Sequence, residues 1–381
     1  MSSIPTQVAM LKIFRYAILP LFLLPLIIFN AQDDLPPPLS TCPQDIIDEA
    51  LTNIGTYTPS DAVGFITLAD SRFTLNDQPF IVQGINYYPS AYPWRRFLAE
   101  TDLDILQTDL ALMHDTGFNT LRIFLWNTAL FNCPGSGAVP NWGVFQRLDG
   151  IIRTAGNAGF RLIVTLNDLP DMIDYPLYEN PVHTQLQTTF IVERYRDEAA
   201  ILAWDVRNEG DIDYGSKQGY IGTEFNRERV LAWLGDTADL VRRVDANHLI
   251  TAGWLNDAEA TAPYVDFVSF HHWEDTDSFR NRLNTIREGT DKPILVQEFG
   301  YSTFRMSPEE QAENIRQIIL ESQTQDLLGW MIWTAFDFPL DRSCFPSPCL
   351  SEDNAEHHFG IWNSDYAPKP ALDAIADLLV D

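Results

Sequence analysis

Basic residues are scarce in this chain of 381 residues: 25 Lys and Arg stand against 53 Asp and Glu, a formal charge of −28 at pH 7. A phosphate backbone or an anionic lipid surface has to be met by clustered cations, so nucleic acid and membrane surfaces are poor partners for the body of the protein. A neutral ligand fits better. Histidine is sparse too, with 7 in all, and the first strand-like run carries no His-x-His. A metal site assembled from successive strand ends is therefore disfavoured, and no cofactor is expected. No Gly-rich phosphate loop follows that run, which argues against a dinucleotide-binding sheet. Internal repeats and low-complexity tracts are absent, and no apolar run reaches the roughly 20 residues that cross a bilayer.

The longest apolar run lies near the start, from Tyr16 to Phe29, behind Lys12 and Arg15 and ahead of Asn30-Ala31-Gln32. That is the order of a secretory signal, so residues 1–31 are predicted to be a signal peptide. Phe29 stands where a small residue is expected, which keeps an uncleaved N-terminal anchor as the alternative. Either way the body is expected outside the cytoplasm, secreted or tethered to a membrane by that segment alone. The four cysteines, Cys42, Cys133, Cys344 and Cys349, are an even count in an export product and favour disulfides. Cys344 and Cys349 could close a small ring, and Cys42 with Cys133 would then tie the N-terminal segment to the body; free thiols are the alternative. Residues 32–62, rich in Pro, Asp, Ser and Thr, read as a linker and appendage, and residues 63–381 as one catalytic domain.

From Arg72 the chain shows a hairpin signal with Asn76-Asp77 at its turn, and then eight apolar strand-like runs: 81–86, 119–126, 161–167, 201–208, 249–254, 266–273, 293–299 and 329–338. Helical candidates lie between them, among them 102–116, 142–158, 224–244, 277–287, 307–323 and 369–380. Alternating strands and helices imply parallel βαβ units, and eight of them close into an α/β fold of the (β/α)₈ barrel type. Active sites of that fold form at the C-terminal ends of the strands, so the residues to examine are those where each run stops. They include Asn86-Tyr87-Tyr88, Arg122 with Trp126, Asn167-Asp168, Asn208-Glu209, Trp254, His271-His272-Trp273, Glu298 and Trp333. Glu209 and Glu298 are two carboxylates at strand ends, the pairing that glycoside chemistry uses.

This ordered set, with Gly84-Ile-Asn86, Asn119-Thr-Leu-Arg122, Asn208-Glu209, His271-His-Trp273, Glu298-Phe-Gly300, Trp333 and Lys369-Pro370, resembles the retaining glycoside hydrolases with (β/α)₈ barrels, and most of all glycoside hydrolase family 5. The resemblance implies that Glu209 is the general acid/base and Glu298 the nucleophile, that Asn208 binds the sugar 2-hydroxyl, and that Trp333 floors the sugar site. It places His271 at the site and implies a cation such as Arg122 near Glu298. It further implies a β-linked poly- or oligosaccharide substrate, β-mannan or β-glucan first, with a transglycosylase or a catalytically silent carbohydrate-binding protein as the alternatives. Trp273 stands where the family carries a Tyr that donates to the nucleophile, and Tyr301 is a candidate substitute.

Each residue also has a plainer reading. His271 and His272 point to opposite faces of a strand, so at most one faces the site. Trp126 and Trp254 are candidates for sugar stacking or for core, and Asn167 and Tyr88 for lining a subsite. Asp205 is expected to face the layer opposite Glu209.

Overall fold

The computed structural model describes residues 42–168, 177–178, 181–215, 225–343 and 352–379. The predicted signal segment and the Cys344–Cys349 ring lie outside them.

Three short strands come first: β1 (Ile66–Ala69), β2 (Arg72–Leu75) and β3 (Gln78–Pro79), an antiparallel sheet in that order. Its turns fall at Asp70-Ser71 and Asn76-Asp77, all four with left-handed φ, which short polar side chains tolerate. The second turn is the one the hairpin signal predicted. β4 (Val82–Asn86), β5 (Thr120–Phe124), β6 (Arg161–Thr165), β7 (Ile201–Asp205), β8 (Leu249–Thr251), β9 (Gly253–Trp254), β10 (Val268–His272), β11 (Ile294–Phe299) and β12 (Gly329–Trp333) follow. They pair in parallel in the order β8-β7-β6-β5-β4-β12-β11-β10-β9. Only Ala252 separates β8 from β9, so the two ends of this order are halves of one strand. The sheet therefore closes on itself as a (β/α)₈ barrel, each of the eight predicted runs supplying one stave.

Helices Leu103–Thr116, Trp142–Asn157, Pro181–Tyr195, Arg227–Val244, Thr276–Gly289 and Pro308–Thr324 fill crossovers between the strands. Asp102, Asn141, Asn226, Asp275 and Ser307 cap five of them by accepting from backbone N–H groups of the first turn, and Ser307 with Glu310 forms a capping box. Pro181–Tyr195 escaped the periodicity search because its buried face carries His183, Thr184, Gln187 and Thr188 beside Ile191 and Val192. The last helix, Pro370–Ile375, is shorter than the predicted 369–380.

At the N-terminal mouth of the barrel Ile66, Phe73, Val82, Ile163, Leu202, Phe267 and Met331 form one apolar cluster. The β1–β3 sheet plugs that end, with the Phe73 ring 4.9 Å from that of Phe267. Chemistry is left to the other mouth.

Residues ahead of the barrel are tied to it by polar groups. Glu198, fully buried, accepts from the Tyr57 hydroxyl (2.5 Å), the Ser60 amide (2.7 Å), the Ser60 hydroxyl (2.6 Å) and the Ala200 amide (2.8 Å). Cys42 is disulfide-bonded to Cys133, closing 91 residues of sequence. The chain-entropy account assigns a loop of that size about 4.6 kcal/mol, at the upper end of the usual range of roughly 2–5. Cys42→Ser/Cys133→Ser is accordingly expected to unfold at a midpoint lower by several degrees in a calorimetric scan, and an unchanged midpoint would show that the bond constrains nothing.

Candidate active site

Arg122, in the middle of β5, is buried to 0 % exposure and organises the C-terminal mouth. Its Nη1 donates to Glu298 Oε2 at 2.5 Å and to Asn86 Oδ1 at 3.1 Å. Its Nη2 donates to Asp205 Oδ2 at 2.7 Å and to Asn208 Oδ1 at 2.8 Å. Nε reaches Asp205 Oδ2 at 3.0 Å and Thr165 Oγ1 at 3.1 Å. A guanidinium suits this position because its planar fork carries five donors and stays charged without water. Asn86 is held in turn by the Gln297 and Ile332 carbonyls, to which its Nδ2 donates.

Asn208 is clamped at both ends: Oδ1 accepts from Arg122, and Nδ2 donates to Asp168 Oδ1 at 2.9 Å. Glu209 follows with φ +48°, a left-handed backbone that costs a non-glycine residue on the order of 1–3 kcal/mol. Its amide donates to the Gly253 carbonyl at 2.7 Å. That conformation turns its carboxylate towards β10, where His271 Nδ1 lies 2.8 Å from Glu209 Oε1 and 3.9 Å from Glu298 Oε2. Gly253 makes room for the imidazole: a Cβ there would stand 2.5 Å from His271 Nε2 and 2.0 Å from Gln297 Oε1.

One atom each of Glu209, His271 and Glu298 lies within 4.8 Å of the others. Three such donors could hold a cation, but here they are engaged with one another and with Arg122. The three groups set one another's acidity. Burial pushes the Glu209 carboxyl up, yet the His271 hydrogen bond and charge, then Arg122 and the Trp273 indole N–H, outweigh it and hold the group below its ordinary value. Burial lowers His271, and Glu298 and Glu209 together raise it above normal. Burial, with the charge of Glu209 added, leaves Glu298 raised against the pull of His271 and Arg122.

Residues 76–338 match Cellulase (glycosyl hydrolase family 5). The chain belongs to glycoside hydrolase family 5. It is a glycoside hydrolase. Among its relatives is "Probable mannan endo-1,4-beta-mannosidase C" of Aspergillus terreus, 24% identical over 329 residues that cover 70% of this chain and 79% of that one. Two solved structures share the fold: GH5_18 of Streptomyces cattleya in complex with Manβ1-4GlcNAc, at TM-score 0.64, 19% identity and coverage of 78% and 79%, and the endo-1,4-beta-mannanase of Rhizomucor miehei, at TM-score 0.61, 18% identity and coverage of 82% and 100%.

The structure brings Arg122, Asn208, Glu209, His271 and Glu298 of this family 5 hydrolase into one constellation, and other expectations need correction. Arg122 has no exposed surface, so it positions Glu298 and Asn208 and does not touch substrate. Asp205, expected on the opposite layer, is the second anion on Arg122. Alternation places residues four apart on one face of a strand, so Asp205 at the end of β7 faces the barrel interior with Arg122 and not the opposite layer. Tyr301 does not serve the nucleophile: its hydroxyl donates to the Glu274 carbonyl at 2.6 Å. Trp254 is fully buried beneath Gly210 and edge-on to Tyr214, so it is core and no sugar platform. Asn167 is also buried, its Nδ2 donating to the Val206 carbonyl at 2.9 Å. Tyr88 is fully buried, stacked on Phe124 at 5.3 Å and edge-on to Trp333, and its hydroxyl lies 3.5 Å from Asp168 Oδ2. It supports the floor.

Trp333 is 7% exposed and stacks on Trp94 with centroids 5.9 Å apart. Trp126 and Trp273 are half-buried, Trp273 packing edge-on against Phe359. His272 faces away, bonded through Nε2 to the Asp275 carbonyl at 2.9 Å. Asn86 and Asp205 were within reach of sequence reasoning, since each is a polar side chain at or near the end of an apolar run.

Proposed function

We propose that the hydrolase cleaves β-1,4-linked mannan by double displacement with retention of anomeric configuration. The observation that carries the mechanism is the approach of Glu209 and Glu298 oxygens to within 4.8 Å, close to the 5–5.5 Å typical of retaining pairs and short of the roughly 6.5–9.5 Å that leaves room for water in inverting ones. Mannan is supported by the relatives named as mannan endo-1,4-beta-mannosidases.

In the first step a Glu298 oxygen attacks the anomeric carbon as the glycosidic C–O bond breaks, and Glu209 gives its proton to the leaving oxygen. This needs the proton on Glu209 and the charge on Glu298. His271 Nδ1, 2.8 Å from Glu209 Oε1, orients the acid/base, and Arg122 Nη1, 2.5 Å from Glu298 Oε2, favours the ionised nucleophile. In the second step Glu209, now relieved of a neighbouring negative charge, removes a proton from water, which displaces Glu298 from the sugar. One water is consumed for each bond cut, and both carboxyls return to their starting state.

Export belongs to the same proposal and rests on residues 1–31 alone; an N-terminal sequence of secreted protein that begins near Ala31 supports it, and intact Met1 refutes cleavage. The enzymatic test is hydrolysis of mannan, β-glucan and xylan with the first-formed anomer followed by NMR. Mannan cut fastest, with β-anomer appearing first, is the expected result. An α-anomer appearing first would refute double displacement, and faster glucan hydrolysis would refute the mannan assignment.

A further inference from the structure

A third carboxylate stands over the catalytic pair. The short turn Ala355–His358 follows a loop after β12 and is pinned to the ends of two barrel strands. The Ser302 hydroxyl donates to the Ala355 carbonyl at 2.7 Å, and the Thr303 amide to the His358 carbonyl at 3.0 Å; both donors come from the loop that begins just after Glu298. On the β12 side the Phe338 amide donates to the His357 carbonyl at 3.0 Å. Asn354 caps the turn through the Glu356 amide, and Asp353 bonds both His357 Nδ1 (3.0 Å) and His358 Nε2 (2.8 Å). Close packing beneath it needs Gly300, where a Cβ would lie 2.1 Å from the Trp333 carbonyl oxygen and 3.2 Å from the Phe359 ring.

The turn that carries Glu356 is therefore fixed to the strand ends that carry Glu298 and Trp333, near enough for Glu356 to feel the charges of Glu298 and Glu209, although nothing in the catalytic network uses it. Two observations point to a ligand. Trp333 is more than nine-tenths buried, yet its indole N–H has no hydrogen-bond partner of good geometry among the described residues. The Glu356 side chain itself is exposed, but protein crowds it on enough sides to strip much of its water. Burial first, then the charges of Glu298 and Glu209, push its carboxyl up to about 7, against the pull of Trp333 and Arg305. A carboxylate short of water in a cleft wall gains most from hydroxyl donors that replace it.

We propose that Glu356 is a specificity-determining residue that accepts hydrogen bonds from hydroxyls of the sugar ring lying on Trp333, and so selects the sugar whose bond is cut. The class of ligand is a neutral hexopyranoside with adjacent hydroxyls, matched to two carboxylate oxygens. The proposal rests on the glycosidase mechanism above, and its test separates the two.

Wild type, Glu356→Gln and Glu356→Ala are compared in kcat/KM on an aryl β-mannobioside or β-cellobioside, whichever the wild type prefers, and on analogues with single hydroxyls of the Trp333-seated sugar replaced by hydrogen. A charge-assisted hydrogen bond lost in the transition state predicts a fall of about 10- to 100-fold for Glu356→Ala on the full substrate, with a smaller fall for the isosteric Gln. The fall should vanish on the analogue that lacks the contacted hydroxyl. An equal fall on every analogue, or none on the full substrate, overturns the contact. If the wild type hydrolyses neither glycoside, the glycosidase mechanism fails, and calorimetric binding of mannotetraose decides this proposal alone: at least tenfold weaker binding by Glu356→Ala sustains it, and unchanged binding overturns it.

Discussion

Glu298→Ala is expected to lose about 10⁵-fold in kcat on mannan, the scale on which removal of a covalent nucleophile is felt. Azide then enters the space of the missing carboxylate and attacks the anomeric carbon directly, giving an α-glycosyl azide from an activated β-mannoside. Glu209→Ala behaves differently. With a leaving group that needs no proton the glycosyl-enzyme still forms on Glu298, and azide resolves it to the β-glycosyl azide. Chromatography and NMR of the azide products distinguish the variants. If both give the same anomer, or if Glu298→Ala keeps more than a few per cent of wild-type rate, the assignment of roles is wrong.

The second large effect is on stability. Arg122 neutralises two buried anions at once, Asp205 at 2.7 Å and Glu298 at 2.5 Å. Removing one partner of a buried pair while the other stays charged costs roughly 3–5 kcal/mol. Arg122→Met is therefore expected to lower ΔG of unfolding by about that amount in urea at unchanged slope, in addition to losing activity as Asn208 and Glu298 come adrift. Adding Asp205→Asn removes one orphaned charge, and the double variant is expected to regain about 1 kcal/mol or more of the loss. Strictly additive losses would show that Asp205 and Arg122 do not depend on each other.

The barrel was legible because each stave is a short apolar run ending in polar residues, and buried parallel strands need just that pattern. Glu209, Glu298, Asn208, Arg122 and His271 could be found the same way, from where those runs stop. What could not be found depends on conformations that periodicity does not encode. The left-handed turn at Glu209, which aims its carboxylate at His271, carries no sequence signal. Trp254 ends a strand as a platform residue would, but the break at Ala252 and the close packing of Gly210 place it under the site. Glu356 lies in a loop with no repeat, and the hydrogen bonds of its neighbours Ala355 and His358 to the 302–303 loop, and of His357 to Phe338, bring it towards Trp333. Helix Pro181–Tyr195 hides because its buried face is partly polar.

The first barrel strand, Val82–Asn86, pairs with the last, Gly329–Trp333, residue for residue from Gly329 on Val82 to Trp333 on Asn86. During synthesis that pairing is among the last long-range contacts available. Until Trp333 has left the ribosome, a nascent chain has two unpaired parallel edges, and until Glu298 has left it Arg122 waits with Asp205 alone. The ion network of the catalytic mouth thus lacks its last member until β11 emerges, so a chain stalled before β11 displays sticky strand edges and no nucleophile, a state for chaperones to shield.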